Sequence, residues 1–242
     1  MTEEEPRAET ETPARRKVPR IKLALFGIVV LLVLGSPLWA PLLLRRMDFF
    51  RARRLEIVGT HYIATSDIVA RANVDTTRSV WDPTGPIADR VRGHPGVEAV
   101  HVTRKLPGTV VIAITERQPV ALVPSPQGFR AYDARGVALP IDLTRVAVDA
   151  PVIGRPDAPL LRLLADMRTR LPDLYSRVSE IKRVGANELL FQLAELPVRT
   201  PAAVTLDDLN QIQSVEDDLR RRAARATELD LRYSGQIIAR LP

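Results

Sequence analysis

Apolar positions along the chain are at first continuous, then alternate, then recur with a helical period. From Leu23 to Leu44 the chain reads LALFGIVVLLVLGSPLWAPLLL, 22 residues without a charge. Coiled as a helix this stretch spans about 30 Å, enough for a bilayer core. The run slackens at Gly35-Ser36-Pro37, as the end of a cleavable signal peptide would. A cut after Ala40, however, would set bulky Leu38 where a small residue is needed and put Pro41 directly downstream. The pattern therefore predicts an uncleaved single-span anchor over 23-44.

Beyond the span the period changes. LEIVGT, from Leu55, predicts a short strand, and Ser66 ahead of Ile68-Val69-Ala70-Arg71-Ala72 is a candidate helix cap. Pro86 suits the first turn of a short helix over Ile87–Arg92, whose Ile87 and Val91 share one face; Gly93-His94-Pro95-Gly96 ends it. Next, VEAVHVTRK and TVVIAITER alternate with period two about a Leu106-Pro107-Gly108 turn. Val100 and Val102 fall on one face of the first strand, and Val110, Ile112 and Ile114 on one face of the second. Those faces should pack on the two helices. The order β-α-α-β-β predicts a small α+β unit over 50-118, a three-stranded sheet carrying two helices on one side.

The remainder, 119-242, predicts a mostly antiparallel β domain with flanking helices. Asp133 and Gly136, after Gly128 to Tyr132, supply turn chemistry. Leu160, Leu164, Met167 and Leu171 line one helix face, and that stripe is core. Strands are expected over Val178–Val184 and Leu189–Leu193. A long amphipathic helix follows, with Leu206, Leu209, Ile212 and Leu219 inward and Asp207, Asp208, Asp217 and Asp218 on its solvated side. Pro197 and Pro201 should limit any ladder before that helix. The chain closes on ELDLRYSGQIIARLP.

Three separated stretches carry a family resemblance. RKLPGTVVIAITERQPVAL supplies a basic residue (Arg104), a proline turn (Pro107), a β run (Val110 to Ile114), Glu116-Arg117 and Pro119-Val120-Ala121. Pro151-Val152-Ile153-Gly154 precedes the first helix of the second block, and Asp230-Leu231-Arg232-Tyr233 with Ser234-Gly235 closes it. Placed after one membrane span, these resemble the FtsQ/DivIB family of bacterial cell-division proteins, whose POTRA domain has the β-α-α-β-β order. The resemblance implies a non-enzymatic bitopic scaffold of the divisome, in the inner membrane and enriched at the septum. It also implies partners of the FtsB/DivIC and FtsL type. In that family a partner strand adds to the sheet edge near the C-terminal hairpin. Carried across, the docking residues would be Arg232, Tyr233, Ser234, Gly235, Gln236, Ile237, Ile238 and Ala239. From the residues alone Tyr233 reads equally as a core or rim aromatic, and Gly235 as a turn glycine. Where the family has a longer C-terminal tail, no counterpart is expected after Pro242.

The resemblance also settles an orientation that charge leaves tied. Arg15, Arg16, Lys17, Arg20 and Lys22 precede the span, and Arg45, Arg46, Arg51, Arg53 and Arg54 follow it. The family's topology puts residues 1-22 in the cytoplasm. With five Glu, three Pro and almost no apolar residue before Ile21, that tail should be disordered.

Composition removes most other chemistry. With no cysteine, thiolate catalysis and Cys-ligated metals are unavailable. His61, His94 and His101 sit in no carboxylate cluster, and His101 alternates away from the core face, so no metal or cofactor is expected. No nucleophile elbow or phosphate loop occurs, so neither catalysis nor a small-molecule substrate is expected. Net charge is +6, yet the arginines are scattered and aromatics make up 5%, which argues against nucleic acid. The other membrane-tethered reading is a POTRA protein of secretion or envelope assembly. Such proteins carry tandem units and a β-barrel, and no series of barrel strands is visible here.

Overall fold

The structure is a computed structural model that describes residues 20–44, 47–194, 196–233 and 235–242, less the side chains at 20, 23, 41 and 42. Most of the expected tail therefore lies outside the described residues. Helix α1 (Arg20–Leu44) begins three residues ahead of the apolar run, because Arg20, Ile21 and Lys22 are all compatible with a helix. Its large side chains, Leu25, Phe26, Leu31 and Leu38 among them, stand exposed. With the undescribed side chains set aside, no helix among the described residues is long and apolar enough to cross a membrane.

The first unit contains strand β1 (Arg54–Val58), helices α2 (Thr65–Ala72) and α3 (Gly85–Arg92), and strands β2 (Val97–Lys105) and β3 (Thr109–Glu116). The sheet order is β1-β3-β2, with β1 parallel to β3 and β2 antiparallel to it. As the alternation requires, Val110, Ile112 and Ile114 are buried with Ile68 of α2 and Val91 of α3, while His101 is exposed. Ser66 is not the cap of α2. The helix starts at Thr65 after Ala64, with no side-chain cap, and the Ser66 hydroxyl reaches only Asp67.

A buried carboxylate from the end of β3 fixes the segment leading into α2. Glu116, 5% exposed, accepts the backbone N–H groups of His61 (2.9 Å), Tyr62 (2.8 Å) and Ile63 (2.8 Å). Gly59 makes that turn possible: its φ is +87°, and a Cβ there would lie 2.1 Å from the Ile114 carbonyl oxygen. Arg117 then pairs with Asp133 (3.1 Å), and Arg168 donates to the Gln118 side-chain oxygen (3.0 Å), tying the first unit to the second.

The second sheet has nine strands: β4 (Ala121–Ser125), β5 (Gly128–Tyr132), β6 (Ala138–Leu139), β7 (Val152–Ile153), β8 (Val178–Arg183), β9 (Glu188–Leu193), β10 (Leu196–Pro201), β11 (Glu228–Tyr233) and β12 (Gln236–Arg240). Their order is β12-β11-β10-β9-β8-β7-β4-β5-β6. Five neighbouring pairs are antiparallel and three parallel, so the sheet is mostly antiparallel as expected. Helices α4 (Ala158–Arg170), α5 (Pro172–Arg177) and α6 (Leu206–Arg221) pack on it, burying Leu161, Leu164, Met167, Leu209 and Ile212 with Phe191 and Leu229.

Two local expectations change, and one helix is new. The prolines do not shorten β10 against β9, where six residue pairs run from Leu196 to Pro201. Each proline removes only its own donor, and the limitation appears on the other side, where Val198 and Arg199 alone pair with β11. Asp208 is not simply solvated: with Thr205 it forms a capping box at the start of α6. Helix α5 was not anticipated, and its Arg177 grips the buried Glu216 of α6 through two bonds of 2.8 and 2.5 Å.

Candidate docking edge

Strand β12 ends the nine-strand sheet, so one of its edges has no partner among the described residues. It is held from the other side by β11, through Glu228↔Arg240, Leu229↔Ala239 and Asp230↔Ile238, with an irregularity before Tyr233↔Gln236. The Arg240 carbonyl accepts the Thr227 N–H (2.8 Å) and so points towards β11. By alternation Ile238 points the same way, which turns the N–H and C=O groups of Ile237 and Ala239 to the free edge. Unpaired groups of this kind are a template for an added strand.

Side chains sort by face in the same alternation. Ile237 and Ala239 lie half-buried against the core with Leu229 and Leu231, while Ile238 is 42% exposed on the opposite face. Tyr233 is 54% exposed, so it is neither core nor a buried rim aromatic. Gly235 has φ +72° and open space around a notional Cβ, so its glycine answers to backbone conformation and not to crowding. Ser234 lies outside the described residues. A cleft of about 130 Å³ beside the hairpin is lined by Asp208, Gln211, Tyr233, Gln236 and Ile237, with room for a single side chain.

Among the described docking residues, Arg232 is the one whose polar end is already engaged. Its guanidinium binds Asp230 at 2.9 and 2.6 Å and also pairs with Glu188 of β9. The pairing continues across the sheet from Glu188 to Arg199 (3.8 Å), Arg199 to Glu228 (3.1 Å) and Glu228 to Arg240 (3.5 Å). Sequence reasoning missed this ladder. Glu228, Asp230 and Arg232 stand two apart in ELDLRY, and that spacing puts them on the face opposite Leu229 and Leu231. Their partners on β9 and β10 have no local signature.

The Arg232 hydrogen bond holds the Asp230 carboxyl below the usual aspartate range, against the opposing effect of its burial. A lowered carboxylate contributes stability that is complete above its unfolded value and lost as the pH falls through its folded value. For Asp230 that window opens below about pH 4. In urea unfolding at successive pH values, Asp230→Asn should flatten the acid limb relative to the parent chain. An unchanged slope would show that the pair adds nothing to acid stability.

Among the described residues no cluster of three or more His, Cys, Asp or Glu is placed to hold a metal. The site presents edge backbone, two exposed apolar side chains and a charged face, a surface suited to binding an extended segment.

Comparison with known proteins bears on the same two regions. Residues 50–117 match the family described as POTRA domain, FtsQ-type. A cell division protein FtsQ from Rhodothermus marinus is 29% identical over 263 aligned positions, covering 95% of this chain and 90% of that protein. One from Streptomyces venezuelae is 29% identical over 180 positions, covering 69% and 65%. One from Mycobacterium tuberculosis is 30% identical over 190 positions, covering 76% and 59%. Of the latter two, the chain spans less than two thirds of the relative's own length.

Proposed function

Since this chain belongs to the FtsQ family of cell division proteins, we propose that it is a non-enzymatic, single-pass membrane scaffold of the bacterial divisome. In this reading α1, carrying the uncharged stretch Leu23–Leu44, anchors the chain in the inner membrane. Residues 1-22 lie in the cytoplasm, and the POTRA unit (50-118) and the β domain (119-242) lie outside. The POTRA unit and the C-terminal sheet are the framework, and β12 is the contact. A strand of an FtsB/DivIC-like partner, itself joined to an FtsL-like protein, adds to the free edge at Ile237 and Ala239. Tyr233 and Ile238 give that strand apolar contacts, and Gly235 shapes the turn. The observation that carries this reading is the position of β12, at the free edge of the sheet with its outward backbone groups unclaimed among the described residues.

Ala239→Pro tests it. That substitution deletes an outward donor without touching the Asp230↔Ile238 pair, so the hairpin should survive. Losing one backbone bond of about 1 kcal/mol, together with the steric bulk of the ring, should weaken co-purification of the co-expressed FtsB-type protein about tenfold. Tyr233→Ala should weaken it less. Undiminished capture by both folded variants would remove the edge from consideration.

A further inference from the structure

The exposed large apolar side chains outside α1 are not evenly spread. Met47 (46% exposed), Phe49 (59%) and Leu106 (54%) gather where the chain leaves α1 and enters the POTRA unit. They are built into that unit and do not belong to a loose linker. Phe49 stands edge-on to Phe50 with ring centroids 5.1 Å apart, and Phe50 stands edge-on to Trp81 at 6.0 Å. The Phe50 carbonyl accepts the Val80 N–H (2.8 Å). Leu106 heads the β2–β3 turn, whose Gly108 carbonyl accepts the N–H groups of Arg53 (2.8 Å) and Arg54 (3.1 Å). The turn and the chain leaving α1 are thus one surface.

Exposed cations flank Phe49 and Leu106 along the chain: Arg51, Arg53, Arg54 and Lys105, with Arg104 also exposed but its guanidinium donating to the Val80 and Asp82 carbonyls. Against them stand Asp48, paired with Arg51 (2.8 Å), and Glu56, paired with Lys105 (3.7 Å). A fixed apolar tip flanked by cations is the arrangement that membrane interfaces accept: the apolar groups enter the acyl boundary and the cations meet phosphate. Chain length limits how far it can stand from the bilayer. From Leu44 to Arg51 is seven residues, a reach of no more than about 25 Å even fully extended.

We infer that this face of the POTRA unit, centred on Phe49 and Leu106, rests on the outer surface of the membrane and prefers anionic phospholipid. The inference rests on α1 being the anchor. A membrane-seated base would fix the height and tilt of the whole extracytoplasmic part, so that β12 is presented at a set distance from the bilayer.

The chain has no cysteine, so single labels are unambiguous. The full chain would be reconstituted in vesicles of phosphatidylcholine alone or mixed equally with phosphatidylglycerol. Nitroxides would be placed in turn at Leu31→Cys in α1, Leu106→Cys, and Val184→Cys on the hairpin after β8. Collision with oxygen, enriched in lipid, is then compared with collision with a water-soluble nickel chelate. The expected result is a several-fold higher oxygen-to-nickel ratio at 106 than at 184 in the anionic vesicles, falling in phosphatidylcholine. Arg53→Glu with Lys105→Glu should abolish that lipid preference without changing the thermal unfolding of the chain. A lipid signal at 31 with a fully aqueous one at 106 in both vesicle types would overturn the surface contact and leave the anchor standing. A ratio at 106 indifferent to phosphatidylglycerol would overturn the anionic preference. An aqueous signal at 31 would overturn the anchor and this inference with it.

Discussion

Replacing Glu116 with alanine should destabilise the POTRA unit by about 3–5 kcal/mol. The carboxylate is 5% exposed and accepts three successive backbone N–H groups, from His61, Tyr62 and Ile63. A hydrogen bond to an ionised group contributes about 1.5–3 kcal/mol, and removing the acceptor leaves partly buried donors that water reaches poorly. The bonded segment leads directly into α2, whose Ile68 and Ala72 are wholly buried. Loss of the clamp should therefore loosen the helix as well as the turn. In native-state hydrogen exchange, the α2 and β3 amides should exchange roughly two to four orders of magnitude faster. Glu116→Gln keeps the shape and one good acceptor but places an NH₂ against a backbone N–H, so its effect should fall between parent and alanine. If the alanine variant exchanged like the parent, the carboxylate would be a bystander and the Gly59 turn would hold itself.

This clamp shows what a local reading reaches and what it does not. The alternation in VEAVHVTRK and TVVIAITER identified both strands and their buried faces because one side of a small sheet must be apolar, and that requirement is written residue by residue. Ser66 was read as a cap by the same local logic. The approach to α2 is held by a side chain some fifty positions away, which no window of sequence displays. Helix α5 is six residues long, too short to establish a period. The prolines of β10 remove donors, as their type requires, but which neighbour loses those bonds depends on the strand order, and only in the assembled sheet is the β11 side the short one. At the docking edge, the order of residues from Arg232 to Ala239 was legible, and their connection with an edge came through family resemblance. The commitment of Arg232 to Asp230 and Glu188 was not legible, since it joins β11 to β9 across an intervening strand. An Arg232 substitution would therefore disturb the fold of the edge as well as any contact made there.

Phe191→Ala should act on the other core by a comparable amount, about 3–5 kcal/mol. The ring is fully buried at the middle of β9, opposite Ile181 of β8 on one side and Val198 of β10 on the other, within the cluster that includes Leu164, Met167 and Ile212. Truncation leaves a cavity that two paired strands cannot close without breaking register, so most of the transfer and cavity cost should be felt. Phe191→Leu retains most of the volume and should cost less than about 1.5 kcal/mol. Because β11 and β12 hang on the sheet through β10, the alanine variant should speed exchange from β8 to β12 and, on the proposed docking, weaken capture of the FtsB-type partner even though Phe191 is far from solvent. The buried residues around Ile112 form a separate cluster, so POTRA amides should be unmoved. Glu116→Ala should give the reverse pattern, with fast exchange in the POTRA unit and partner capture intact. If either substitution instead accelerated exchange evenly across both sheets, the Arg117–Asp133 and Arg168–Gln118 bonds would be coupling the two cores into one cooperative unit, and the edge could be regulated from the POTRA side.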